Sequence, residues 1–229
     1  MAKIAVIFYG PPGAGKGTQA NLLTGRKGFT HFDTGRYLEQ LVHDPSNKKN
    51  RIIQREGKLF DSGALMTPSF VLKVTANKAK EIARAGFNIV FSGSPRTMFE
   101  AFGDNKHTGL VRVLEKAYGK QNIYPVFLDI DPNASIKRNK YRMVCSVCAT
   151  AVLYSDALHK HKTCPLCGGK LIKRTVDNPS VFKTRIKEYQ ERTFPILAGL
   201  KKRGYKITKV NGMPLPFKVH ASVAKKLKL

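Results

Sequence analysis

One run of residues constrains this chain more than any other: Gly10-Pro11-Pro12-Gly13-Ala14-Gly15-Lys16-Gly17-Thr18. An apolar stretch, residues 3–9, leads into it, and a polar helical stretch, residues 16–23, leads out. The run fits the phosphate-binding loop, with Gly17 set between the lysine and the hydroxyl residue. Glycines let the backbone curl until successive N–H groups point inward at phosphate oxygens. The helix that follows offers its positive end to the same anion. Lys16 adds a full charge for the β- and γ-phosphates, and Thr18 reaches Mg²⁺ or a phosphate. Gly13, Ala14, Gly15, Lys16, Gly17 and Thr18 are therefore the expected cradle of a nucleotide.

The rest of the chain alternates strand and helix. Thr67-Pro68 reads as a helix start, with Thr as cap and Pro in the first turn, running to residue 85. Residues 88–91 and 123–130 read as buried strands, residues 108–118 as a helix, and Asp131-Pro132 as the cap of a short one. Residues 178–203 read as a long helix that Pro195 kinks or splits, and residues 205–210 as a last strand. Such repetition implies a parallel sheet covered on both faces. Two segments break the rhythm. Residues 36–66 are polar and lack a strand signal; residues 137–176 surround the cysteines. The expected division is a core of residues 1–35, 77–136 and 177–229, with insertions at 36–76 and 137–176. The Lys-rich end, KKLKL, is expected to fray.

The four cysteines form two pairs, Cys145-x-x-Cys148 and Cys164-x-x-Cys167. Four thiolates in two such knuckles suit a tetrahedral Zn²⁺ with no open position, hence a structural metal. Gly168 and Gly169 permit the tight turn after the second pair. The competing readings are four reduced cysteines packed as small hydrophobes, and a zinc ribbon that binds nucleic acid. His159 and His161 read as loop residues.

The chain's 229 residues suffice for one core plus small lobes. Its net charge is +26. Residues 137–174 hold nine lysines and arginines against one acid, and residues 175–229 hold thirteen against three. Such an excess attracts nucleotides, RNA or an anionic membrane surface, or is a solvated basic face without a partner. No apolar run approaches the roughly 18–20 residues of a membrane span. The opening run is too short for a signal peptide, and the expected compartment is the cytoplasm.

The stretch GPPGAGKGTQA, residues 10–20, closely resembles the opening of adenylate kinases. The resemblance continues nearly end to end. Ser92-Gly93-Ser94-Pro95-Arg96-Thr97 sits where that family has Asp-Gly-Phe-Pro-Arg-Thr, and Thr34-Gly35 where it has Thr-Gly-Asp. Gly63-Ala64-Leu65-Met66 matches the segment whose backbone touches the monophosphate. Arg138 and Arg142 precede the first cysteine, and Arg174 and Arg185 follow the last, at family spacings. The resemblance implies an α/β P-loop NTPase fold: three α/β/α layers, a central five-stranded parallel sheet, an inserted lobe that binds a nucleoside monophosphate (NMP), and a small zinc-ribbon-like lid. It implies a monomer that reversibly transfers the γ-phosphoryl group of ATP, accompanied by Mg²⁺, to an NMP. Lys16, Arg96, Arg142, Arg174 and Arg185 would be catalytic. Arg138 would pack on the ATP base. Thr34, Arg36, Leu65, Met66, Gly93, Arg96, Glu100, Arg174 and Arg185 would hold the monophosphate.

Four positions depart from the family. Glu39 replaces a phosphate-binding Arg, for which Arg36, one turn earlier, could compensate. Ser92 replaces an Asp that orders Mg²⁺ through water, and Asp33 could take over. Val176 replaces one of two lid acids, leaving Asp177. Glu100 replaces the Gln of adenine-specific members. An ionised carboxylate only accepts hydrogen bonds, so it suits guanine N1–H and N2–H₂, unless Glu100 faces solvent or is protonated. Overall resemblance favours AMP; Glu100 favours GMP or a pyrimidine nucleotide. The alternative to an enzyme is a module on the same fold that binds ATP, or associates with RNA, without turnover.

Overall fold

The computed structural model describes residues 3–148, 150–152, 162–173 and 179–229. Five parallel strands form the central sheet: β1 (Ala5–Tyr9), β2 (Phe29–Phe32), β3 (Asn88–Phe91), β4 (Ile123–Asp129) and β8 (Thr208–Asn211), in the order β2-β3-β1-β4-β8. In register, Val6 lies opposite Val90 on one side and Tyr124 on the other. All five residues of β1 are buried, because a central parallel strand is covered on both faces and must be apolar throughout.

Two layers of helix sandwich this sheet. Alternate β1 side chains divide between them, as the strand's two-residue period requires. Ile7 and Tyr9 join a core with Phe91, Leu114, Ile196 and Leu200. That face is covered by α4 (Pro68–Arg84), α6 (Leu110–Tyr118) and α9 (Pro195–Lys202). Val6 and Phe8 join Leu23, Val126, Leu128 and Val223 under α1 (Lys16–Lys27) and α10 (Pro216–Leu227). Both layers and the five-stranded parallel sheet match the expected architecture.

Local chemistry sets most element ends. Gly28 closes α1 in the left-handed conformation at φ 66°, where glycine has no Cβ to strain. Asp131 caps α7 (Pro132–Lys140) by accepting from the Asn133 and Ala134 amides. Asp33 caps α2 (Thr34–His43) by accepting from the Arg36 amide, and Asn50 caps α3 (Arg51–Ser62). α2, a 3₁₀ turn at Pro45–Asn47, and α3 occupy the polar excursion, around a cluster of Leu38, Met66 and Val71.

Three expectations need correction, and a fourth, the long helix kinked or split near Pro195, is borne out. β2 escapes the pattern reading because Phe-Thr-His-Phe is only four residues long with two polar residues at its centre, so it shows neither a continuous apolar run nor an alternation. The last strand is Thr208–Asn211, since Tyr205 turns into the core instead. The long helix is split into α8 (Pro179–Glu188), a π-helical turn at Tyr189–Thr193, and α9. Pro195 starts α9, where its missing N–H breaks no helical bond. Finally, the C-terminal end does not fray. α10 runs to Leu227, whose side chain is buried with Val219 and Val223 at four-residue spacing, so one apolar face holds the lysines' helix down.

Residues near the cysteines form a separate antiparallel sheet: β5 (Met143–Cys145) pairs with β6 (Ala151–Val152) and β7 (Leu171–Ile172). Among the described residues its buried core is Cys145, Cys164 and Leu171. Among the described residues no helix is long and apolar enough to cross a membrane. His159, His161, Arg174, Val176 and Asp177 lie outside the described residues.

Candidate active site

The loop between β1 and α1 makes a tight nest. Gly10, Gly13 and Gly15 take φ of 145°, 84° and 88°, values an L side chain rarely adopts. Gly13 has a second reason to be glycine. A Cβ there would fall 2.3 Å from Asn139 Nδ2 and 2.9 Å from the Ser135 carbonyl. α7 is thus pressed onto the loop, and Ser135 Oγ donates to the Pro12 carbonyl at 2.5 Å. Sequence reading missed Ser135 and Asn139. Their signal is two polar residues four apart on a helix that begins right after a strand, and the fold buries both.

Lys16 Nζ donates to the Gly10 and Pro11 carbonyls at 2.7 and 3.0 Å. Its pKa is held well below the ordinary lysine value, first by burial and then by the charges of Arg96, Arg185 and Arg142. Three arginines from distant stretches of chain thus act on Lys16, and a bound anion would offset their repulsion. Arg96 comes from the loop after β3, Arg142 from the start of the cysteine sheet, and Arg185 from α8.

Arg96 is held from three sides. Its Nε donates to the Gly93 carbonyl at 2.7 Å, its amide to Glu100 Oε2 at 2.8 Å, and its carbonyl accepts from Thr193 Oγ1 at 2.9 Å. The π-helical turn places Thr193 there, and such turns recur at functional sites. Arg138 Nη1 and Nη2 donate to the Gly212 and Met213 carbonyls at 2.9 Å. This fixes its guanidinium beside the loop that follows β8, near Gly13. Thr18 lies in the first turn of α1.

A second cleft opens beside Arg96 and is lined by Thr34, Leu65, Met66, Gly93 and Glu100. These five expected residues are therefore brought together. Gly93 lies beside Gly35 and Arg96, and a Cβ there would make ordinary contact with the Gly35 amide at 3.4 Å and Arg96 Nη2 at 3.5 Å. Arg36 stands exposed on α2, and the charges that act on Lys16 do not include its own. Asp33 Oδ1 is engaged as the α2 cap. Ser92 Oγ meets His31 Nε2 at 2.7 Å, and His31 Nδ1 meets Asn21 Oδ1. Arg174 is outside the described residues.

The four cysteine sulfurs lie within 4.8 Å of one another, with Cys145–Cys167 at 3.4 Å and Cys148–Cys164 at 3.8 Å. Tetrahedral thiolates at a Zn–S bond of about 2.3 Å stand about 3.8 Å apart, so the set fits one Zn²⁺. The Val147 and Cys148 amides both donate to Cys145 Sγ, a way to stabilise thiolate charge.

Comparison with known proteins agrees with this geometry. A family model described as an AAA domain matches residues 9–138. The adenylate kinase of Chlamydia pneumoniae is 31% identical over 84% of this chain and 83% of its own length. That of Rhizorhabdus wittichii is 31% identical over 96% of this chain and 97% of its own. That of Geobacter sulfurreducens is 33% identical over 83% of each. With a nucleotide loop, convergent cations and likeness along nearly the whole length of such relatives, the chain belongs to the adenylate kinase family.

Proposed function

We propose that the protein is a nucleoside monophosphate kinase that transfers the γ-phosphoryl group of ATP to the phosphate of an NMP, reversibly, giving two nucleoside diphosphates. The observation that carries this reading is that the charges of Arg96, Arg142 and Arg185 all act on Lys16, which sits in the phosphate-binding loop. Phosphoryl transfer needs little covalent help from protein; it needs positioning and neutralisation of spread negative charge. In this reading Gly13–Thr18 amides and Lys16 hold the ATP phosphates, and Arg138 packs on the ATP base. Arg96 takes the acceptor's phosphate. Arg142, Arg185 and Arg174 gather around the transferring group, their planar forks each engaging two oxygens. Thr34, Leu65, Met66, Gly93 and Glu100 surround the acceptor, and Arg36 is the nearest replacement for the arginine lost at Glu39.

Mg²⁺ accompanying ATP would supply charge neutralisation between its phosphates; Thr18 would bear on it, and Asp33, which also caps α2, would replace the acid lost at Ser92. Zn²⁺ bound by Cys145, Cys148, Cys164 and Cys167 serves structure alone. We read the protein as a cytoplasmic monomer, with a core of residues 1–35, 77–136 and 177–229 and lobes at 36–76 and 137–176. The test is turnover: protein, ATP-Mg²⁺ and each of AMP, GMP, CMP and UMP, followed by chromatography of diphosphates. Formation of two diphosphates per event supports the reading. ATP binding without transfer to any acceptor refutes it and favours the non-catalytic module.

A further inference from the structure

The cleft beside Arg96 holds two buried hydroxyls that no described residue satisfies. Its walls are apolar, from Leu38, Leu65 and Met66, which suits the two faces of a planar base. Against them stand Thr34, Ser94 and Glu100, which line the same cleft. The Thr34 and Ser94 side chains are 1% and 4% exposed, and neither hydroxyl has a hydrogen-bond partner. Buried hydroxyls without partners are costly and uncommon. Two in one cleft indicate a ligand that supplies the missing bonds.

Glu100 is 2% exposed and lies on the first turn of α5 (Met98–Phe102). It is half of a capping box: Thr97 Oγ1 accepts from the Glu100 amide and donates to Oε1 at 3.1 Å, while the Arg96 amide donates to Oε2. Each oxygen thus receives one bond, and a carboxylate has about four acceptor positions. One position on each oxygen is left for a ligand. Burial raises the carboxyl's pKa, and the Arg96 amide, the Arg96 charge and the Thr97 hydroxyl oppose that rise. Further N–H donors from a ligand act in the same opposing direction.

We propose that this cleft selects guanine, with Glu100 accepting from N1–H and the 2-amino group and the Ser94 and Thr34 hydroxyls serving the base's remaining polar atoms. Guanine alone among the four bases presents two adjacent N–H donors on one edge. Adenine would set the N1 lone pair against a carboxylate oxygen. Uracil flanks its single N3–H with two carbonyl oxygens, and cytosine pairs one amino donor with acceptors. The specificity is therefore built from mismatch as much as from match. It rests on the kinase reading for what happens after binding, though base selection itself is a binding property. It also sets this chain apart from the acceptor that overall resemblance favours.

The experiment measures binding and turnover separately, with the full zinc-loaded chain. Titration calorimetry with GMP, AMP, CMP and UMP is expected to show GMP binding roughly tenfold to a hundredfold more tightly than AMP. Glu100→Gln, which turns one acceptor into a donor, is expected to shift the GMP:AMP ratio at least about tenfold toward AMP. Ser94→Ala keeps the capping box intact, so it covers the case in which the Glu100 variant does not fold; it should weaken GMP severalfold and AMP less. AMP binding as tightly as GMP in the unaltered protein overturns the proposal. GMP preferred in binding, with no diphosphate formed from any acceptor, leaves base selection standing and sinks the kinase reading. AMP preferred, with rapid turnover, does the reverse, and no binding of any monophosphate defeats both.

Discussion

Lys16 shows how much of this site is prepared electrostatically before any substrate arrives. It is half-buried, donates to two backbone carbonyls, and feels the charges of three arginines. Its pKa is lowered in the empty site, and a polyphosphate would raise it again. ATP binding should therefore take up a proton as pH rises through the lowered value, and the KM for ATP should climb over the same range. Calorimetry in buffers of different ionisation enthalpy reads the proton directly; a buffer-independent heat across that range would refute the argument. Lys16→Met should cost on the order of a hundredfold or more in kcat/KM, with the melting temperature little changed or raised, because the substitution relieves repulsion. At this scale the sequence was informative wherever a residue's role lies in its own chemistry, as with Lys16 and the four cysteines. It was silent where the role is a contact. Ser135 and Asn139 clamp the loop only because α7 packs there, and Thr193 reaches Arg96 only through a π-helical turn. Nor could it place Glu100, whose carboxylate is shared between a helix cap and a cleft.

Between elements, one buried carboxylate fixes how α3 meets α4. Glu56 is fully buried, accepts from the Thr67 amide at 2.7 Å and from its hydroxyl, and pairs with Arg55 at 2.8 Å. Burial would raise its pKa, but the Thr67 and Arg55 interactions outweigh that, so the folded value is lowered. A lowered carboxylate contributes stability above its unfolded pKa and loses it as pH falls through the folded one. Glu56→Ala leaves the Thr67 amide unpaired at a cost of about 1–3 kcal/mol, which lowers the melting temperature by roughly 2–10 °C near neutrality. The gap to the unaltered protein should narrow in acid; a gap that persists unchanged to low pH would rule this account out. The cysteine sheet makes the complementary case. Among the described residues only three are buried there, too few to hold it alone, so a metal on the four cysteines would supply the missing stability. One Zn²⁺ per chain is expected by metal analysis. A strong chelator, or Cys164→Ser, should abolish turnover while the five-stranded sheet, which shares none of those contacts, keeps most of its far-ultraviolet signal. Retained turnover after full zinc removal would contradict this. The strand–helix order of the sheet was legible because buried parallel strands are continuously apolar. β2 and α10 were not, since β2 is four residues long with a polar centre and the apolar face of α10 is thin among lysines.

Across the whole molecule the charge is not only large but sorted. No acid occurs in residues 1–32 or after Glu191. α1 and α10, which bound those stretches, pack together over one sheet face with Arg26, Lys27, Lys225, Lys226 and Lys228 exposed. With 41 basic and 15 acidic residues, most exposed cations have no acid to pair with. Two consequences of opposite sign follow. Self-repulsion opposes the compact state, so added salt should raise the melting temperature, since the Debye length shrinks from about 10 Å at 0.1 M to about 3 Å at 1 M. The same field draws in anionic nucleotides and can raise their on-rate by roughly tenfold or more, so kcat/KM should fall over that salt range while kcat changes far less. Replacing Lys225, Lys226 and Lys228 with Gln separates the two from any effect inside the cleft, because these side chains lie on α10 and its C-terminal cap, outside the residues that bear on Lys16. The triple variant should melt higher at low salt and show a shallower salt dependence of kcat/KM, with kcat at high salt equal to that of the unaltered protein. If the melting temperature rises but the salt slope of kcat/KM does not move, the acid-free face does not steer substrate. A larger polyanion such as RNA then becomes its partner to test, by retention of the unaltered protein, and not of the variant, on immobilised RNA at 0.1 M salt.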